Sequence, residues 1–192
     1  SGATLGTNTA YTLSITDDES VPTIQWSATS SSAAETAGSV TLTAQLSAVS
    51  GTDVSVTVGY SGSAAKSPTA NARYSTASDT VTITAGQTSA TYTVTLIDDS
   101  TYEGTQTGIF TMSSPSGATL GANSAYTLSI TDDETAPSIS ISDTTVNENA
   151  GTASLTVSLS NSSASSVTVD WASANGTATA PADYTSASGA LT

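Results

Sequence analysis

The sequence predicts an all-β chain of tandem Ig-like antiparallel β-sandwiches, each of about seven strands. Three observations lead to this prediction. Apolar residues alternate with serine and threonine in short runs, glycines separate the runs, and a long segment is repeated. Alternation with a period of two is typical of a strand with one buried and one solvated face. No segment of useful length has the spacing of a helix.

Five runs show the alternation most clearly, and β-branched residues, which favour strands, are frequent in them. Glycines mark turns in the gaps; they are Gly51, Gly62, Gly86 and Gly117. The apolar positions of the runs, in chain order, are Val40, Leu42, Ala44 and Leu46; Val54, Val56, Val58 and Tyr60; Val81 and Ile83; Tyr92, Val94 and Leu96; and Tyr126, Leu128 and Ile130.

The internal repeat sets the domain organisation. Residues 1–20 read SGATLGTNTAYTLSITDDES and residues 116–135 read SGATLGANSAYTLSITDDET, so 3 positions differ at an offset of 115 residues. This period suits a bead-like domain and is too long for a solenoid repeat. We therefore expect a window of a longer precursor: 1–19 as the C-terminal strand of a preceding repeat, 20–134 as a complete repeat, and 135–192 as the N-terminal half of a following one.

Composition argues against several functions. The 192 residues include 16 acidic and 2 basic residues and no cysteine or histidine, for a net charge of -14. Such a chain repels phosphate backbones, which argues against nucleic-acid binding and against a polybasic membrane anchor. No apolar run approaches the roughly 20 residues that a membrane helix needs. Because only 9% of the residues are charged and 36% are hydrophobic, we expect a folded chain.

The acidic residues cluster where predicted strands end. A single aspartate in such a place is usually a turn residue. Adjacent carboxylates at three strand ends are different, because they repel one another and the chain has only two cations, Lys66 and Arg73, to relieve them. The clusters are Asp17, Asp18 and Glu19; Asp98, Asp99 and Glu103; and Asp132, Asp133 and Glu134, while Glu35 and Glu148 each precede an Ala-Gly turn.

A divalent cation would relieve this repulsion directly. Ca²⁺ takes about 6–8 oxygen ligands at about 2.3–2.6 Å, mostly from carboxylates and carbonyls. Zinc and copper lack their preferred histidine and cysteine ligands here. Mg²⁺ is an alternative, although it usually keeps more of its water. We therefore predict Ca²⁺ as the bound ion.

Several motifs follow one another in a recognisable order. The first motif is ExxG, at Glu35–Gly38 and Glu148–Gly151, and it precedes a VTV strand. The second is GTA at Gly176–Ala178, followed by Asp183-Tyr184. The third is IDD at Ile97–Asp99, followed by YEG at Tyr102–Gly104, and the repeat closes with Ala118–Glu134. In this order the motifs resemble the Calx-β domain, a module first associated with sodium–calcium exchangers and found in many surface proteins. The resemblance covers essentially the whole chain.

The resemblance implies a seven-strand sandwich with calcium sites in the loops at one tip. It places the ligands of the complete repeat at Glu35, Asp98, Asp99, Glu103, Asp132, Asp133 and Glu134, those of the first fragment at Asp17 and Asp18, and those of the third repeat at Glu148 and Asp183.

Two departures from the family pattern concern the complete repeat. Arg73 stands at the DY position, where the family has a carboxylate, and Gln106 stands where the family often has another acid. An arginine among several carboxylates can replace one calcium ion with an internal ion pair. We therefore expect Arg73 to weaken calcium binding by the second repeat.

The leading functional hypothesis is a calcium-binding structural spacer or adhesion module of a secreted, repetitive protein, extracellular or at the cell surface. Its partners would be neighbouring repeats of the same chain, and Ca²⁺ would rigidify the junctions across short linkers that contain Pro22 and Pro137. One alternative is a subunit of a self-assembling filament that adds strands between copies of the chain. Another is a carbohydrate-binding accessory module. Other copies of the chain and cell-surface ligands are further candidate partners.

We do not expect an enzyme. No histidine is present to activate a serine. A glycosidase could use two carboxylates, but its cleft is usually rich in aromatic residues, and this chain has only Trp26 and Trp171 as tryptophans. Trp171 aligns with Tyr60 on a predicted strand, so we expect it to pack in a core.

Overall fold

The computed structural model describes residues 2–16 and 18–192, and the protein is all-β, as predicted. The helical segments of these residues are two single 3₁₀ turns, Glu35–Ala37 and Glu148–Ala150. The strands are β1 Thr23–Trp26, β2 Ser30–Ala34, β3 Ser39–Leu46, β4 Val54–Gly62, β5 Ala65–Lys66, β6 Ala72–Thr76, β7 Thr80–Ile83, β8 Ser89–Leu96, β9 Thr101–Tyr102, β10 Gln106–Ser116, β11 Thr119–Leu120, β12 Ala125–Thr131, β13 Ile139–Ile141, β14 Val157–Leu159, β15 Ser162–Ser163, β16 Val169–Ala172 and β17 Ser188–Leu191.

Residues 23–131 form a two-layer sandwich. One sheet has the strand order β11-β1-β3-β8-β6-β5, and the other has the order β2-β12-β10-β4-β7. The inward faces of both sheets carry the predicted alternating apolar residues, which are buried except for the partly buried Val40 and Tyr60. Trp26 lies at the centre with no exposed surface, and its indole N–H donates to the carbonyl of Phe110 at 3.1 Å.

The sandwich is not antiparallel throughout, which corrects one detail of the prediction. The first strand of the repeat is divided: β1 pairs antiparallel with β3 in one sheet, while β2 crosses over and pairs parallel with β12 in the other. Shorter parallel pairs join β1 to β11 and β5 to β6. The division lets the beginning of the repeat contribute a strand to both sheets.

The third repeat contains two separate strand pairs, β13 with β14 and β16 with β17. Between them lies an open apolar groove of about 490 Å³, lined in part by Ile141, Trp171 and Leu191. Trp171 is 42% exposed, so the core that we expected around it is not closed in these residues.

Residues 2–16 form no strand and are exposed. The repeat aligns Tyr11, Leu13 and Ile15 with Tyr126 and two other buried residues of β12. In its sheet, β12 lies between β10 and β2 and pairs with both. Pairing with both neighbours is what makes β12 a strand. The division of the chain into 1–19, 20–134 and 135–192 stays a prediction.

One end of the sandwich carries most of the predicted ligands, and we call it the acidic pole. Here β8 and β12 end, and β3 and β10 begin. The acidic pole comprises the carboxylates of Glu35, Asp99, Glu103, Asp132, Asp133 and Glu134. The described residues contain no helix with the length and hydrophobicity needed to cross a membrane.

Candidate metal centre

Glu35 is the most deeply buried acidic residue of the pole. It begins the 3₁₀ turn between β2 and β3, and the turn ends at Gly38, whose φ of 76° lies in the left-handed region. This sharp turn directs the Glu35 side chain inward, so that the residue is only 2% exposed. A carboxylate this deeply buried needs a partner.

Asp132 organises the loops around the pole. It follows β12 directly, and its Oδ2 accepts hydrogen bonds from the backbone N–H groups of Glu103 and Gly104, both at 2.6 Å. Its Oδ1 accepts a third from the N–H of Glu134 at 3.0 Å. These bonds join the loop before β10 to the segment after β12. The acidic residues of that loop and of that segment therefore lie close together.

Four carboxylates converge at the pole with the spacing of ligands around one ion. Each of Glu35, Asp132, Asp133 and Glu134 offers one oxygen, and these oxygens lie within 4.8 Å of one another. Two ligands on opposite sides of Ca²⁺ are about 4.6–5.2 Å apart, compared with about 4.2 Å for Mg²⁺. The separation is therefore compatible with one bound Ca²⁺.

Two buried oxygen atoms of this cluster have no hydrogen-bond donor. They are Oε1 of Glu35 and Oε2 of Glu134. A buried acceptor left unsatisfied is costly, and such atoms are rare in folded proteins. A cation between the four carboxylates would give both atoms a ligand to bind, and the residues present therefore fit a bound Ca²⁺.

The pKa values reflect the crowding of negative charge. Burial raises the pKa of Glu35 to about 7, with further contributions from a hydrogen bond to Glu134 and from the charges of Glu134, Asp132 and Asp99. The pKa of Glu134 is also raised, chiefly by its hydrogen bond to Asp132. Burial would raise the pKa of Asp132 as well, but hydrogen bonds from Glu134 and Gly104 and the charge of Arg73 hold it below its usual range.

Arg73 is an internal cation beside this cluster. Its side chain is 4% exposed, and its guanidinium forms ion pairs with Asp99 and Glu103. Burial would raise the pKa of Asp99, but the hydrogen bond from Arg73 and a backbone N–H from Thr101 lower it. Arg73 thus forms ion pairs with two of the predicted ligands. The four carboxylates of the cluster are left to bind a metal ion.

The other predicted ligands are not part of this group. Asp98 is exposed and adjoins the pole, Asp18 is exposed, and Asp17 lies outside the described residues. Glu148 is exposed on its own 3₁₀ turn, and Asp183 accepts a hydrogen bond from Thr179 N–H at 2.8 Å. Among the described residues, the one group of carboxylates close enough to share an ion is that of the second repeat.

The backbone donors at the pole were not predicted from the sequence. Glu103 was predicted as a carboxylate ligand, yet its N–H and that of Gly104 hold Asp132 in place. The signal was the glycine of the YEG motif, because Gly104 adopts a φ of 70° that favours glycine. The contact of Ser162 and Ser163 with β9 was not predicted either, because the sequence carries no signal for it.

We expect the calcium-free protein to lose stability as pH rises from about 4.5 to 7. In that range folded Glu35 keeps a proton, because its pKa is raised from 4.5 to about 7, whereas the unfolded chain has lost it. The linked loss is on the order of 3 kcal/mol. The raised pKa of Glu134 acts in the same direction. The lowered pKa values of Asp99 and Asp132 reduce the stability of the fold only at lower pH.

Urea unfolding in chelator at several pH values measures this slope. Excess calcium should remove it, because the ion favours the deprotonated carboxylates. Identical slopes in the parent chain and in Glu35→Gln would show that Glu35 is not the titrating group.

Comparisons with known proteins agree with this architecture. The model of the Calx-beta domain family matches residues 17–134 and 131–192. The crystal structure of the apo form of the Calx CBD1 domain is similar with a TM-score of 0.52 and 16% identity, over 60% of this chain and 100% of that one. CBD12 from CALX1.2 is similar with a TM-score of 0.51 and 21% identity, over 88% of this chain and 68% of that one. The search of curated proteins gave no match.

Proposed function

Because the chain belongs to the Calx-β domain family and contains tandem repeats of it, we propose that it is a calcium-binding structural spacer of a secreted, repetitive surface protein. In this proposal Ca²⁺ binds at the acidic pole of the second repeat and rigidifies the junction with the third. The proposal assigns no catalytic step to the chain.

The single observation that carries the proposal is the environment of Glu35. Its side chain is buried and its Oε1 has no donor, although three further carboxylates lie within reach of one ion. A solvated acidic turn would leave such an oxygen in water. Four carboxylates with up to eight oxygens can supply most of the six to eight ligands that Ca²⁺ takes.

The proposed stoichiometry is one ion in the second repeat. Arg73 stands between Asp99 and Glu103 and supplies positive charge there permanently. A second Ca²⁺ at those carboxylates would have to displace a buried guanidinium, which is strongly unfavourable.

The position of the cluster supports the spacer role. Three of its four carboxylates belong to Asp132–Glu134, which lead directly into the linker toward Pro137 and the third repeat. An ion that ties this segment to Glu35 would fix the direction in which the chain leaves the sandwich. Removal of the ion would leave four carboxylates to repel one another and push the segment away.

We expect chelation to broaden the distribution of particle lengths in small-angle scattering and to speed proteolysis near residues 132–137. Magnesium at matched ionic strength is the control and should not restore the calcium-bound profile. Equal lengths and equal cleavage with calcium and with chelator would rule out the spacer mechanism, and calorimetry on the same samples tests calcium binding separately.

A second candidate, assembly through strand addition, is favoured by one observation. The apolar groove of the third repeat and the side chains of Tyr11, Leu13 and Ile15 are exposed, and an added strand would cover such surfaces. Sedimentation equilibrium separates the two ideas, because a spacer stays monomeric at concentrations where a filament subunit associates. No described feature favours carbohydrate binding, which stays an untested alternative.

A further inference from the structure

The second and third repeats touch through a short strand contact in addition to the linker. β15 pairs parallel with β9, with Ser162 opposite Thr101 and Ser163 opposite Tyr102. The N–H of Ala164 donates to the carbonyl of Tyr102 at 3.0 Å, and the Ser162 hydroxyl donates to the carbonyl of Ser100 at 3.0 Å. β9 therefore serves as a docking edge for the third repeat.

This docking edge lies within the acidic pole, between Asp99 and Glu103. At its beginning, Asp99 Oδ1 accepts the N–H of Thr101 at 2.7 Å, and the other carboxylate oxygen of Asp99 pairs with Arg73. At its end, Glu103 pairs with the same guanidinium. One buried side chain thus holds both ends of β9.

Arg73 itself is fixed by the sheet. It belongs to β6, which pairs with β8, and its carbonyl accepts the N–H of Ile97 at 3.0 Å. A planar guanidinium presents several donors in a rigid fork, so it can bridge two carboxylates that a point charge would serve less well. The loop that carries β9 is therefore anchored to the sandwich through Arg73.

Preorganisation is what a contact this small requires. β9 and β15 are two residues each, so only a few hydrogen bonds form between them. These bonds contribute too little free energy to offset the entropy lost when two flexible loops become ordered. An edge that is already held costs less to dock against, because its conformational freedom has been removed beforehand.

We propose that Arg73 is a positioning residue for inter-repeat docking, which holds β9 in place so that the turn at Ser160–Ala164 of the next repeat binds there without a metal ion. This contact is separate from the proposed calcium-dependent one. Calcium would fix the linker segment after β12, whereas the guanidinium fixes the docking edge after β8.

The docking turn is a regular part of the repeat. In the third repeat the Ser160 hydroxyl oxygen accepts the N–H of Ser138 at 2.9 Å. In the second repeat the Ser47 hydroxyl oxygen accepts the N–H of Thr23 in the same way, also at 2.9 Å. The turn that contains Ser50 lies at the end of the sandwich opposite the acidic pole, where β3 ends and β8 begins, and it therefore offers a matched control position.

Cross-linking tests the proposal directly, because the chain has no cysteine. Thr101→Cys with Ser162→Cys should form an intramolecular disulfide in oxidised glutathione in chelator as well as in calcium, where the ordered linker makes the reaction faster. Thr101→Cys with Ser50→Cys is the control and should form none. Adding Arg73→Gln should slow the first reaction by about tenfold or more in chelator, and Arg73→Lys should restore it in part.

Folding of each variant is checked by thermal unfolding. If Arg73→Gln does not fold, Asp99→Asn removes only the tie at the beginning of β9 and should slow cross-linking by a smaller factor. An unchanged rate in a folded Arg73→Gln or Asp99→Asn chain would overturn the proposal. A parent chain that cross-links only with calcium would overturn it too, and calcium binding measured on that chain would leave the spacer proposal standing.

Discussion

Replacing Arg73 with aspartate should convert the second repeat into a stronger calcium binder. The change removes the internal cation and adds a carboxylate, and it frees Asp99 and Glu103 to act as ligands. We expect calcium affinity to rise by at least about tenfold, with more than one ion bound per repeat. Without calcium the same variant should lose about 3–5 kcal/mol of stability, because buried carboxylates lose their partner.

Isothermal titration calorimetry and urea unfolding, each with and without calcium, measure both halves of this expectation. Lys66→Asp makes the same change of charge at the chain's other basic residue, whose ion pair with Asp79 lies outside the carboxylate cluster. It should alter calcium binding little. No calcium uptake by either the parent chain or Arg73→Asp would remove the metal hypothesis altogether.

Replacing Glu35 with glutamine should have opposite effects on calcium binding and on the stability of the calcium-free protein. The change removes one charged ligand, so calcium affinity should fall by about tenfold or more. It also removes a buried charge among like charges, so the calcium-free protein should gain about 1 kcal/mol or more above pH 7. A turn residue without a metal role would show only one of these effects, or neither.

Glu148→Gln is the matched control for that experiment. Glu148 occupies the same position in the ExxG motif of the third repeat, but it is exposed and belongs to no carboxylate cluster among the described residues. It should leave the calcium affinity of the carboxylate cluster in the second repeat and the stability of the calcium-free protein unchanged. Equal behaviour of the two variants would show that burial of Glu35 has no functional meaning.

The all-β fold could be predicted because the apolar residues alternate so regularly. In β3, β4, β8 and β12, every second side chain is directed into the core, as the alternating pattern predicts. β10 was harder to foresee, because the residues on its buried face are Gly108, Phe110 and Met112, while Ile109 lies on the other face. Glycine and methionine give a weak strand signal.

The candidate site was predicted as a set of ligands that converge at one tip of the sandwich, but its contacts were not predicted. Acidic runs at strand ends identify Glu35 and Asp132–Glu134, which the structure brings together. The sequence could not show that Asp99 and Glu103 both reach Arg73, since that depends on how the ends of β6, β8 and β10 meet. Whether any of the predicted ligands binds metal stays a prediction.

The parallel pairing of β2 with β12 determines how the repeat resists a stretching force. In the proposed spacer, a pull along the chain would enter near β1 and leave through the linker after β12, so it would draw β2 and β12 in opposite directions along their common axis. Their register runs over five residue pairs, from Thr127 opposite Ser30 to Thr131 opposite Ala34. Force applied in this direction slides the two strands past each other, and every hydrogen bond between them is strained together instead of one after another.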